Sequence, residues 1–334
     1  MGQAQIHKEN TDNKDCVVDG FRNIAEIIEF RRVYNNDFYL FGINVDDRQV
    51  RFSRIEKKLK EKPIDQLLLE DERDRGERFK YGQQVSKCMY LADIIIDNSE
   101  EQYLQTGIET HLKRKIDRYI SLINGEKKER MNWIEEYMQQ ACIASEDSNC
   151  VNRQVGAAIF GWDGKIISTG YNKPPIAESC VEIFQGCHKE QINKELWEEV
   201  WKWIEGKVCP KCDWIMTIGQ LETNSYYCVK CGFDIKNFLM PTKGSDHCIS
   251  IHAEEKAILG IDEKILKDSI MFTTTFPCLQ CALKITHVGI NSIYYIDPYP
   301  LPETQWIKTT LFKDLIIRKY SGVKSKFAYK TLFK

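Results

Sequence analysis

Apolar residues recur at two distinct periods along the first third of the chain. Cys16-Val17-Val18 and residues 38–45 are short runs rich in β-branched or aromatic residues, which predicts buried strands. Between them, residues 24–32 carry apolar side chains at helical spacing. Residues 92–96 form a further short apolar run, and a long helical stretch follows from about 100 to 123. The polar break Asn124-Gly125-Glu126-Lys127-Lys128-Glu129-Arg130 is the expected linker.

Beyond that break the pattern changes to regular alternation of elements. A helix is expected over 132–145. Residues 155–160 and 165–171 read as two strands around Trp162-Asp163-Gly164, where Asp-Gly is a hairpin-turn signal. A helix starts near His252, a strand covers 270–274, a helix 278–288 and a strand 292–296. The order β-β-α-β-α-β predicts an α/β fold, a mixed sheet covered by helices. Residues from about 176 to 246 interrupt it with a stretch rich in tryptophan, charge and cysteine. The expected organisation is one unit over 1–125 and a second over 126–334 that carries this insertion.

The length, 334 residues, suits two such units, and 43% hydrophobic residues suffice for ordinary cores. A formal net charge of −2, from 47 basic and 49 acidic residues, leaves no basic footprint for nucleic acid. No secretory signal is evident, and no apolar run approaches the roughly 20 residues needed to span a bilayer. A cytoplasmic protein without membrane or nucleic-acid partners is therefore expected. Thirteen cysteines in a reducing compartment point to metal sites before disulfides. Six of them form three C-x-x-C pairs.

His252-Ala253-Glu254 is followed, 23 residues after Glu254, by Pro277-Cys278-Leu279-Gln280-Cys281. This H-x-E…P-C-x-x-C order is the signature of zinc deaminases. Its parts have separate reasons. Catalytic zinc takes three protein ligands, here His252, Cys278 and Cys281, and leaves a position for water, whose acidity it raises. Cys278 and Cys281 are three apart and face one way on a helix, whose N-terminus favours thiolates. Pro277 suits a helix start. Glu254, kept off the metal, is the expected proton carrier. His252 and Glu254 are two apart, so they converge only if the metal lies off the first turn of their helix. The alternative is a structural zinc with Glu254 on the surface.

Cys209-Pro210-Lys211-Cys212 and Cys228-Val229-Lys230-Cys231 are fifteen residues apart, the spacing of a zinc ribbon. Four thiolates would close that metal's shell. The alternative is a pair of reactive dithiols. The ribbon could order a flap, make a subunit contact or touch nucleic acid. Cys180, Cys187, His188, His247 and Cys248 lie in or beside the insertion, and packed or solvated roles are the simpler reading for them.

With Val155-Gly156-Ala157-Ala158, Gly170-Tyr171-Asn172-Lys173-Pro174-Pro175 and Cys248-Ile249-Ser250-Ile251-His252, these motifs resemble the deoxycytidylate deaminase family and its wider cytidine deaminase fold. The resemblance covers roughly 131–299, apart from the insertion. It implies zinc-dependent deamination of dCMP, dCTP or both, a homo-oligomer, and substrate contacts at Asn172, Ala253 and Thr274. Asn172 could otherwise be a turn residue. The N-terminal Val17-Val18-Asp19-Gly20 segment, the row Arg48, Arg51 and Arg54, and Ala92-Asp93-Ile94-Ile95-Ile96-Asp97-Asn98 are similar to nucleoside monophosphate kinases. The arginine row reads equally well as a solvated helix face. No G-x-x-x-x-G-K-[ST] phosphate loop exists in the chain, so phosphotransfer is not expected. A partial P-loop-kinase-like unit joined to such a deaminase with a ribbon insertion resembles bacterial anti-phage dCTP/dCMP deaminases. The tail Arg318-Lys319-Tyr320-Ser321-Gly322-Val323 also resembles that group, whose full members carry the loop, so a shortened N-terminus is expected. Housekeeping dUMP supply, polynucleotide base deamination and non-catalytic nucleotide sensing are the competing functions.

Overall fold

Two β-sheets with helices between and around them make up the computed structural model. It describes residues 16–45, 84–98, 108–126, 130–192, 195, 208–209, 211–215, 230–231, 248–297 and 303–324. In chain order, α1 (Ile24–Tyr34) precedes β1 (Phe41–Asn44), α2 (Val85–Leu91) precedes β2 (Ile94–Asp97), and α3 (Ile108–Ile123) follows. Next come α4 (Trp133–Glu146), β3 (Gly156–Phe160), β4 (Ile166–Tyr171) and α5 (Cys180–Phe184). The last part holds α6 (Ala253–Ile258), α7 (Glu263–Leu266), β5 (Ile270–Thr275), α8 (Leu279–His287), β6 (Ser292–Asp297), α9 (Glu303–Trp306), β7 (Ile316–Lys319) and β8 (Gly322–Val323).

The larger sheet has the order β4-β3-β5-β6-β7. β3 is antiparallel to both β4 and β5, whereas β5, β6 and β7 run parallel. Every residue of β3, β5 and β6 is buried, and these strands carry apolar side chains on both faces. Their side chains still divide by period two. Ala158, Phe160, Phe272 and Tyr294 face one core, and Ala157, Ile159, Met271 and Ile293 face the other.

The first core lies under α4, whose Met138, Ala141 and Cys142 are inside it. Asn132 starts this helix with a capping box: its side chain accepts from Glu135 N, and Glu135 returns to the Asn132 N–H. Tyr137 stacks on Phe160 at 3.9 Å and donates to Gly164 O, tying α4 to the β3–β4 turn. Gly164 has φ +78°, the left-handed backbone its Asp-Gly turn requires. The second core lies under α6 and α8 on the opposite face.

The smaller sheet has the order β1-β2-β8, with β1 and β2 parallel and β8 antiparallel to β2. Ile95 of β2 joins the α4 core, while Ile94 and Ile96 face Tyr119 of α3. α4 is thus shared between both sheets, and the strand from residue 322 returns to pair with the N-terminal half. Neither β7 nor β8 was anticipated from pattern. One expectation is corrected: residues 16–18 form no strand, and Val17 is 95% exposed. A β-branched run needs a ladder partner, and these residues have none among the described ones. The row Arg48, Arg51 and Arg54, Cys228, His247 and the upstream part of the expected 100–123 helix lie outside the described residues. No described helix is long and apolar enough to cross a membrane.

Candidate metal centre and active-site cleft

Two helix starts bring three metal-ligating side chains to one point. His252 is the N-cap of α6, with extended backbone at φ −74° and ψ 157°. Cys278 is the N-cap of α8, at φ −70° and ψ 171°. An N-cap residue stands outside the helical spiral, so the two-residue step from His252 to Glu254 does not throw their side chains apart. Cys281 lies three residues into α8 from its cap. His252 Nδ1 is 3.3 Å from Cys278 Sγ and 3.4 Å from Cys281 Sγ. All three ligand atoms lie within 4.8 Å of one another. A tetrahedral zinc at ordinary bond lengths sets N···S at about 3.6 Å, so one imidazole nitrogen and two thiols so arranged fit that ion.

The two thiols share a proton unequally. Cys278 is held well below an ordinary thiol, chiefly by the hydrogen bond from Cys281 and further by His252, and Cys281 is pushed up in return. Cys248, which lines the same cleft, is the largest influence raising the pKa of the His252 imidazole in the absence of metal.

Glu254 is 3% exposed and belongs to no ligand group. Burial raises its pKa above the usual carboxylate value, partly opposed by the charge of His252. Thr273 Oγ1 lies 2.9 Å from Thr275 O and 3.3 Å from Glu254 Oε1. The Thr273 hydroxyl can donate to Thr275 O or to an ionised Glu254, and its lone pairs can receive a protonated Glu254. The carboxyl is therefore placed to hold a proton and to give it up, which is what general acid–base work needs.

A cleft of about 390 Å³ opens over these groups. Ala253, Glu254, His252 and Cys278 line it, with Asn172, Arg153, Thr275 and Phe276. Cys150, Cys180, Cys187 and Cys248 give it a wall of thiols. Asn172 is nearly saturated from within: its Oδ1 accepts from Ser148 Oγ at 2.8 Å and Val155 N at 2.7 Å, and its Nδ2 donates to Arg153 O at 2.9 Å. One amide N–H remains for other use. Asn172 thus shapes the loop between α4 and β3 as well as lining the cleft. Thr274 does not reach the cleft. Strand alternation turns it to the opposite face, where its Oγ1 accepts from Gly156 N at 3.1 Å and it lines a separate cavity. Thr273, one position earlier, is the residue that touches Glu254; knowing which face of the strand meets α6 would have singled it out.

In the insertion, Cys209, Cys212 and Cys231 bring their sulfurs within 4.8 Å of one another. Cys209 and Cys231 Sγ are 3.7 Å apart. The turn after Cys209 is a tight knuckle: Lys211 N points to its sulfur, Asp213 N donates to its carbonyl, and Asp213 has φ 56°. Three converging thiols with backbone N–H support fit a zinc ion, with Cys228 outside the described residues.

An imidazole, two thiols and an unligated buried carboxyl at the carboxyl edge of a mixed sheet fit a zinc ion with a position left for water. The family model of the cytidine and deoxycytidylate deaminase zinc-binding region matches residues 131–297, and the chain belongs to that family. It is 27% identical over 210 residues to the deoxycytidylate deaminase of Schizosaccharomyces pombe, covering 63% of this chain and 48% of that one. It is 24% identical over 193 residues to that of Saccharomyces cerevisiae, covering 58% and 46%. The chain therefore spans about half the length of these relatives. The dCMP deaminase of cyanophage S-TIM5, solved with dCMP and dUMP, is 19% identical and covers 58% of this chain and 100% of its own. The TM-score between the two is 0.34.

Proposed function

We propose that this chain deaminates the cytosine base of deoxycytidine nucleotides, dCMP or dCTP, to give the deoxyuridine nucleotide and ammonia. The observation that carries this reading is Glu254, buried beside His252, Cys278 and Cys281 yet outside their ligand group. Zinc held by those three residues would supply an acidified water. Glu254 takes a proton from the attacking water and passes it to ring nitrogen N3. It then carries a proton to the departing amino group, so cytosine and water become uracil and ammonia. Thr273 steadies the carboxyl through both transfers. Asn172, through its remaining amide N–H, and Ala253 at the cleft floor are assigned to substrate.

Cys209, Cys212, Cys228 and Cys231 are assigned to a second, structural zinc. The N-terminal residues 1–125 are assigned to a kinase-like unit without a phosphate loop, and the deaminase to 126–334. Parallel pairing of β1 with β2 supports the first assignment. A role in depleting nucleotides during phage infection, and assembly into a homo-oligomer, rest on the resemblance of the motifs in combination.

Ammonia release from dCMP, dCTP, CMP and CTP, set against cytosine- and adenine-containing oligonucleotides, tests the reading. Turnover is expected on free deoxycytidine nucleotides. Glu254→Gln should keep about two zinc ions per chain and lose about a thousandfold or more in turnover. Turnover confined to oligonucleotides, or undiminished in that variant, overturns it.

A further inference from the structure

The helix that carries Glu254 has little of its own to hold it in place. α6 is six residues long, and the side chain of its cap, His252, makes no capping hydrogen bond. A helix this short is not stable by itself in water, so neighbours set its aim. Its approach to β4 is fixed by Gly170, which faces Ala253 and Ala257, and by Ser168 Oγ, which donates to Ala257 O. Those contacts lie on one side and give little leverage against rotation of α6 about its own axis. Two consecutive side chains supply that leverage. Glu255 Oε1 accepts from Lys284 Nζ of α8 at 2.6 Å. Lys256 Nζ stands over the ring of Tyr171, the last residue of β4, at 3.2 Å from its centroid, a cation–π contact. One tie runs to the helix that bears Cys278 and Cys281, and the other to the strand that leads into Asn172.

We propose that these two contacts form a two-sided brace that sets the rotation of α6, with Glu255 and Lys256 as positioning residues for Glu254 and His252. The inference rests on the deaminase reading and adds to it what aims the proton carrier. Consecutive residues stand about 100° apart around a helix axis, so the two ties pull on different flanks. Side chains reach about 5–6 Å from that axis, so a rotation of about 10° carries a carboxyl by about 1 Å. A shift of that size in a catalytic group costs about 100-fold. The residues lining the cleft include none of Glu255, Lys256, Tyr171 and Lys284, so their effect reaches the site through the helix.

Turnover of dCMP by the zinc-loaded protein, and visible d–d absorption after cobalt(II) replaces zinc, test the brace together. Lys256→Met is expected to lower kcat about 3- to 30-fold with KM held, and to shift the cobalt bands. Lys256→Arg, whose guanidinium also stacks on aromatic rings, should recover most of both. Glu255→Lys should lower kcat in the same way, and adding Lys284→Glu to it should restore kcat and the bands by re-forming the pair with its charges exchanged. Unchanged kcat in Lys256→Met, or no recovery in the exchanged pair, overturns the proposal. So does a fall in urea stability with cobalt bands identical to the wild type, which is the mark of a merely structural role. A wild-type protein that releases no ammonia from any cytosine compound would defeat the deaminase reading separately, while the cobalt spectra would still decide on the brace.

Discussion

At Gly170 on β4 the helix that His252 caps and Glu254 belongs to packs tightly on the sheet, and a single methyl group there should disable the site. A Cβ at Gly170 would stand 2.2 Å from Ala253 O and 2.5 Å from Ala257 N, both backbone atoms of α6. Ordinary contact begins near 3.4 Å, so the helix must back away by about 1 Å. It cannot do so freely, because Ala253 and Ala257 are fully buried and Ser168 Oγ donates to Ala257 O. Overpacking of this kind costs about 1–3 kcal/mol. The larger effect is on chemistry. Zinc bond lengths tolerate about 0.2 Å, and a displacement of about 1 Å in a catalytic group costs about 100-fold. Gly170→Ala is therefore expected to lower zinc affinity and to reduce kcat/KM by about 100-fold even at saturating zinc. Gly156→Ala is the control. Its Cβ would lie 2.0 Å from Ala141 O and 2.4 Å from Ser145 N, so it pushes α4, on the other face. It should cost similar stability with a smaller effect on zinc. Competition with a chromophoric chelator, ammonia release and urea unfolding together measure all three quantities. Wild-type zinc affinity and turnover in Gly170→Ala would refute the reasoning, as would equal zinc loss in both variants.

Two further expectations concern how the halves are joined. Arg118 on α3 holds the fully buried Glu135 carboxylate through two 2.9 Å bonds, and Arg118→Ala strands that charge. A loss of about 3 kcal/mol in urea unfolding is expected, the low end for a broken buried pair because Arg118 keeps some exposure; a loss under about 1 kcal/mol would contradict it. Tyr320 is buried, its hydroxyl donates to Val323 O, and burial lifts its pKa well above the ordinary phenol value. Its contribution to stability is complete below the unfolded phenol's pKa, about 10, and is lost as pH rises above that. Tyr320→Phe should flatten the alkaline fall in stability, and an identical pH profile for both proteins would rule this out.

Much of this was written locally along the chain. Period, length and turn signals mark α1, α4 and strands β3 to β6, and β3, β5 and β6 are buried along their whole length. The H-x-E and P-C-x-x-C segments are legible for a related reason: a cap and the first turn after it are set by neighbouring residues, whatever lies elsewhere in the fold. Other features depended on partners far away in sequence. Residues 16–18 have the composition of a strand but no ladder to join among the described residues, while the two residues of β8 are a strand because β2 lies alongside. Whether Thr273 or Thr274 meets Glu254 is a question of which sheet face α6 covers, since one step in register exchanges them. The Glu255–Lys284 pair spans 29 positions and was invisible for the same reason. Sequence by itself determined which chemical groups are available and how each local segment bends. Tertiary structure alone decided which of them share a cavity, because side-chain contacts depend on how sheets and helices are stacked, and that stacking is settled by burial over the whole chain.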